Sequence, residues 1–304
     1  MDGRVHSRRE ARKARGVPVT DYVLCDKEEV KARMMIGANE KIGRCKMSGR
    51  ASAAVIAILV AAGASGGSVG RASAETLVEQ SSEARMQLDF HVPDAALKSM
   101  LPGGWEPNIA AQGAAKDANL RMIFIDRINV TAPDGAPAGS GQLVYLAIPI
   151  KQASTNTVAQ MLIYGLTSDP KEAPGPFGVY QLATTHHMQR STVAAPAPQT
   201  SEAWSFTAGN GEHMELNLKY DRGVGRRASN ETKFFSSTNP GFYQIFKVDQ
   251  NLDIMRNATI SVPDKVKEFQ YKASGGKLGA LFDGSERVLS IDAISWYNRA
   301  IYLP

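Results

Sequence analysis

Cysteine is nearly missing from this sequence. The 304-residue chain has two, Cys25 and Cys45, and both lie before residue 75. Residues 75 to 304 have none, which excludes a disulfide, a thiolate metal site and a cysteine nucleophile there. Short catalytic signatures are missing too. No G-x-S-x-G marks a nucleophile elbow, and "GNG" and "SGG" are loop glycines rather than phosphate cradles. A large excess of one charge is also lacking. Residues 75 to 304 carry 21 Lys and Arg against 23 Asp and Glu, a formal −2, whereas residues 1 to 74 carry 14 basic and 7 acidic groups, a formal +7. The basic balance of the whole chain therefore sits in its first quarter, and the rest has no basic stripe for nucleic acid.

No apolar run reaches the ~20 residues of a membrane-spanning helix. "AAVIAILVAAGA" (53 to 64) is shorter. Lys46 and Arg50 stand before it and Ala72-Ser73-Ala74 behind it, the layout of a cleavable signal segment. The expectation is a true start at Met47, with residues 1–46 a disordered upstream extension. Residues 47–74 are then a signal peptide cut after Ala74, and 75–304 one domain. Localisation is then periplasmic or secreted, with membrane contact only through the signal segment. A disulfide-free exported chain fits a bacterial periplasm.

Strand patterns dominate residues 75 to 304. "MQLDFHV" (86 to 92) alternates Met86, Leu88, Phe90 and Val92 with Gln87, Asp89 and His91, the period of a half-buried strand. "LRMIFIDRINV", "QLVYLAIPI" and "VAQMLIYGLT" are apolar and rich in branched residues. Asn210-Gly211 and Asp283-Gly284 read as hairpin turns, each joining two strands through positive φ at both positions. One helix is expected over "DAALKSML" (94 to 101), stopped by Pro102-Gly103-Gly104. The fold class is mainly β (α+β): a closed or nearly closed antiparallel β-barrel of roughly ten strands with one or two short helices, since closure disposes of exposed edges.

"LATTHHMQR" (182 to 190) holds His186 and His187 side by side. On a strand, neighbours point to opposite faces, so the two imidazoles do not share one metal. One is expected to line a cavity and the other to face solvent, and no metal site is expected. His186 is the candidate acid or base, and Arg190 a fork for a ligand carboxylate. Lys219 in "LNLKY" and Lys247 in "QIFKVD" sit in apolar strand contexts, where burial would lower an amine pKa, and are candidate nucleophiles.

"FHVPDAALKSMLPGGWEPN" (90 to 108) resembles the opening of acetoacetate decarboxylase-like domains, a strand and short helix ending in an "LLP-x-G-x-EP" turn. The resemblance implies a single-domain β-barrel over most of 86 to 304. It also implies a lysine amine that attacks a β-keto acid, taken from a Lys-Lys pair after a Gly-aromatic-Pro turn. The matching segment here, "GPFGVYQLATT" (175 to 185), has Gln181 and Leu182 where those lysines stand. Tyr180 in that segment is a candidate substrate-binding residue. Three readings are open. One is a lyase of divergent mechanism acting on a small keto acid or carbonyl compound. Another is a non-catalytic periplasmic binding barrel for an apolar or aromatic metabolite. The weakest is a structural envelope protein with a filled barrel. No cofactor is expected, the partner is a small molecule, and a homo-oligomer is compatible.

Overall fold

The computed structural model describes residues 74–194 and 197–304. The expected upstream extension and nearly all of the signal segment lie outside the described residues. Among the described residues twelve strands succeed one another: β1 (Thr76–His91), β2 (Trp105–Pro107), β3 (Leu120–Thr131), β4 (Pro137–Gln152), β5 (Val158–Thr167), β6 (Tyr180–Val193), β7 (Gln199–Ala208), β8 (His213–Asp221), β9 (Arg226–Ser236), β10 (Tyr243–Asn257), β11 (Val266–Ser274) and β12 (Arg287–Leu303). Two short helices, α1 (Asp94–Ser99) and α2 (Leu278–Leu281), complete the secondary structure of the described residues with a 3-10 turn at Pro170–Glu172. The helix expected to Leu101 stops at Ser99. The Met100 and Leu101 N–H groups that follow it donate to the Leu97 and Lys98 carbonyls, and Leu97 is its one buried side chain.

The hydrogen bonds close into a ring, β5-β9-β10-β12-β1-β3-β4 and back to β5. Pairing is antiparallel except at β5, which meets β9 and β6 in parallel over three residues each. These parallel joins depart from the fully antiparallel expectation. β6 leaves β5 after Leu182 and continues into a second layer, β6-β7-β8-β11.

Strand alternation sorts the apolar residues into two cores. Met86, Met122, Phe124 and Leu146 pack outward from the ring against Trp204, Phe206 and Leu216 of the second layer. The Phe124 ring lies 5.9 Å from Trp204 and 6.4 Å from Phe206. The intervening Ile123, Ile125, Tyr145 and Ala147 join Phe234, Phe246 and Tyr297 in the other core, on the ring's inner face. Trimming one methyl from the outer core, Ile148→Val, is expected to cost about 1 kcal/mol in urea denaturation.

Two turns differ from the pattern read in the sequence. Gly211 has a φ of +83° but Asn210 stays on the negative side, so the β7–β8 turn needs only one glycine. Asp283-Gly284 does not join two strands; it links α2 to β12, with Gly284 at φ +95°. β1 differs as well. Its polar set is not a solvent face: Glu83, Arg85 and Asp89 are as buried as Met86 and Leu88. Both faces of this strand are covered, one by the second layer and one by the ring itself.

Candidate functional site

Alternation on β1 sends Glu79, Ser81, Glu83 and Arg85 to the inner face of the ring. β3 adds Arg127, β4 Tyr145, and β12 Tyr297 and Arg299. The β5–β6 connection brings Glu172 and Tyr180 to the same end. The charged groups form one alternating chain. Glu172 Oε1 accepts from Arg127 Nη1 at 2.6 Å. Arg127 Nη2 lies 2.7 Å from Glu79 Oε1, which also accepts from Arg299 Nη2 at 3.1 Å. Arg299 Nη2 is 2.8 Å from Glu83 Oε1, and Arg85 Nε donates to Glu83 Oε2 at 2.7 Å. Three carboxylates face three guanidiniums, so the chain is formally neutral.

Burial is graded along it. The Glu83 and Arg85 side chains are 0% and 2% exposed, whereas Glu172 is 29% exposed. Burial alone would raise the Glu83 pKa. The Arg299 and Arg85 guanidiniums overcome that and hold it at about 2. Arg85 is fixed further by the Tyr297 ring, 3.4 Å from its guanidinium carbon, and donates to the Tyr145 hydroxyl at 3.3 Å.

A cavity of about 270 Å³ opens at the Glu172 end, lined among others by Arg127, Glu172, Tyr145, Tyr180, Phe177 and Phe246. Arg127 is 5% exposed, and its Nε has no hydrogen-bond partner among the described residues. A buried donor left unpaired costs about 1–3 kcal/mol, so this atom favours an incoming acceptor. Tyr180 is held in the wall because Gly165 and Gly175 leave room for its ring; a Cβ at either would collide with it. Burial raises the Tyr180 pKa, so its hydroxyl remains a proton donor at neutral pH.

Farther along β1 the ring holds a second polar group. Arg121 grips Asp89 with two hydrogen bonds of 2.7 and 3.2 Å. Asp292, 4% exposed, accepts from Ser290 at 2.7 Å and Gln87 at 3.2 Å. Burial, and next the Asp89 charge, push the Asp292 pKa up to about 7.

Of the residues singled out in the sequence, Tyr180 lies in this cavity wall and the other four lie elsewhere. Lys219 is on β8, outside the ring, half-buried and 3.4 Å from Glu268. Lys247 alternates with the inward Phe246 and Val248. It therefore points outward, 2.7 Å from Glu75 and 3.7 Å from Glu231. No lysine is among the buried residues described. His186 and His187 are both exposed, because β6 has left the ring before reaching them; the His186 ring lies 6.5 Å from Phe206. Arg190 does form a carboxylate fork, but on the protein's own Glu202, at 3.1 and 3.2 Å, with Asp126 at 3.6 Å. It faces a separate cleft of about 190 Å³ between ring and second layer. The residues not singled out are Glu79, Glu83, Arg85, Arg127, Glu172 and Arg299. Glu79, Glu83 and Arg85 carry one sequence signal, a polar residue at every second position from Glu79 to Asp89, and Arg127, Glu172 and Arg299 lie outside it.

No protein-family model matches the chain, and no curated protein matches it. Solved structures do. The chain is similar to an acetoacetate decarboxylase-like enzyme from Sphingomonas wittichii RW1 at 12% identity and a TM-score of 0.47, over 75% of this chain and 91% of that one. It is similar to the enduracididine biosynthesis enzyme MppR complexed with pyruvate at 12% identity and a TM-score of 0.45, over 77% and 91%. Acetoacetate decarboxylase from Legionella pneumophila subsp. pneumophila str. Philadelphia 1 is similar at 9% identity and a TM-score of 0.44, over 75% and 86%. These neighbours are of the family that residues 90 to 108 resemble. At such identities and scores the likeness assigns neither an activity nor a residue role to this chain.

Proposed function

We propose that the ring is a barrel whose open end binds a small organic acid, held at its carboxylate or carbonyl oxygen without a covalent bond. The observation that carries this is Arg127, buried at the cavity wall with its Nε unpaired. Tyr180 supplies a second, neutral donor from the same wall. Phe177 and Phe246 give the ligand's carbon skeleton an apolar surface. An apolar or aromatic metabolite alone fits less well, because it would leave the Arg127 Nε without an acceptor. Schiff-base lyase chemistry needs an amine kept neutral by burial. The lysine on the cavity rim, Lys171, is exposed. Export to the periplasm, expected from residues 47 to 74, belongs to the same proposal: a binding protein for small acids outside the cytoplasm.

Calorimetric titration with pyruvate tests the reading. The unaltered protein is expected to bind, and Arg127→Met to bind ~10–100-fold more weakly, the worth of one hydrogen bond to a charged group. Equal affinity in the two proteins, with both folded by circular dichroism, contradicts it.

A further inference from the structure

We infer that Glu172 is a built-in stand-in for the ligand's carboxylate, and that the ligand is a monocarboxylate which displaces it from Arg127. This rests on the pocket reading above and deepens it. Glu172 differs from the other two acids of the chain in every respect that governs release. Glu79 bridges Arg127 and Arg299, and Glu83 bridges Arg85 and Arg299. Among the described residues Glu172 pairs with Arg127 alone, through one oxygen. Glu79 and Glu83 are fixed on β1 inside the sheet. Glu172 ends a three-residue 3-10 turn whose hydrogen bonds are local: its N–H donates to the Asp169 carbonyl at 3.0 Å, and the Lys171 N–H to the Asp169 carboxylate at 2.9 Å. Moving Glu172 out therefore breaks one ion pair and no strand pairing.

Charge sets the ligand class. With Glu172 in place the chain is neutral, three against three. With Glu172 withdrawn it carries one net positive charge, beside the cavity lined by Phe177 and Phe246. A ligand with one carboxylate restores neutrality. A dicarboxylate would place a second, unpaired negative charge against Phe177 and Phe246, at a desolvation cost.

The test compares the full protein, Glu172→Gln and Arg127→Met in calorimetric titrations with propionate, succinate and propionamide. Glu172→Gln is expected to bind propionate about tenfold more tightly, as removal of one competing, partly buried ion pair allows. Succinate should gain less, and propionamide nothing. A second readout is trypsin cleavage after Lys171. Propionate should speed it in the unaltered protein, while Glu172→Gln should be cut quickly without ligand. If Glu172→Gln binds propionate no more tightly while Arg127→Met still abolishes binding, displacement is wrong and the pocket reading stands. A gain for succinate exceeding that for propionate reduces the effect to bulk charge and overturns the monocarboxylate assignment. Propionate binding that ignores both substitutions overturns the pocket reading as well.

Discussion

Replacing Glu83 with glutamine is expected to destabilise the protein by about 3–5 kcal/mol, the cost of breaking a buried ion pair from one side. The reason is the number of charges that depend on it. Arg85 and Arg299 both direct guanidinium hydrogens at Glu83, and both are buried. A neutral amide leaves Arg85 with Tyr145 and the Tyr297 ring as its remaining partners. Urea denaturation reads the change as a fall in midpoint. Removing the pair together, Glu83→Gln with Arg85→Gln, should recover part of the loss, because no buried charge is then left alone. Lys219→Ala, which breaks only an exposed pair, should stay within ~0.5 kcal/mol. A Glu83→Gln protein as stable as the unaltered one would contradict the buried ion chain. The same residue contributes to acid sensitivity. Its pKa is lower folded than unfolded, so its contribution is complete above about 4.5 and is lost as pH falls toward about 2.

Asp292→Asn has the opposite sign. The Asp292 pKa is raised from 3.8 to about 7 by burial and by the Asp89 charge. The folded state therefore holds this proton more tightly than the unfolded chain does. The resulting penalty is absent at acid pH, grows between about pH 4 and 7, and is complete above pH 7. Its full size is on the order of 4 kcal/mol. The asparagine variant carries no such charge. It is expected to match the unaltered protein within ~1 kcal/mol at pH 4 and to exceed it by ~2–4 kcal/mol at pH 8. Stability curves measured at both pH values check this. A difference that stays constant with pH contradicts it.

Much of the fold was legible because alternation is a local property. Met86, Leu88 and Phe90 announce a buried face, and the runs in β3, β4 and β5 announce strands covered on both sides. The candidate site was much less so, because a period of two separates a strand's faces without saying which face meets water. Glu79, Ser81, Glu83, Arg85, Gln87 and Asp89 look like an exposed edge in the sequence. Only ring closure, which pairs β1 with β12 from Thr76 opposite Leu303 to His91 opposite Arg287, puts them inside. Arg127 and Arg299 become partners by that same closure. Glu172 sits in a connection that carries no periodicity at all. The lysines failed for a related reason. Apolar neighbours on both sides, as at Lys247, mark a residue that points away from the core those neighbours enter.

Crystals of the protein grown with 3-bromopropionate would place the ligand directly, by anomalous scattering at the bromine edge. The prediction is one bromine peak in the cavity beside Phe177 and Phe246, with the carboxylate on Arg127 and Glu172 turned away from it. A peak in the cleft between the layers, beside Arg190 and Glu202, with Glu172 still on Arg127, would contradict the assignment of the ring's open end as the binding site.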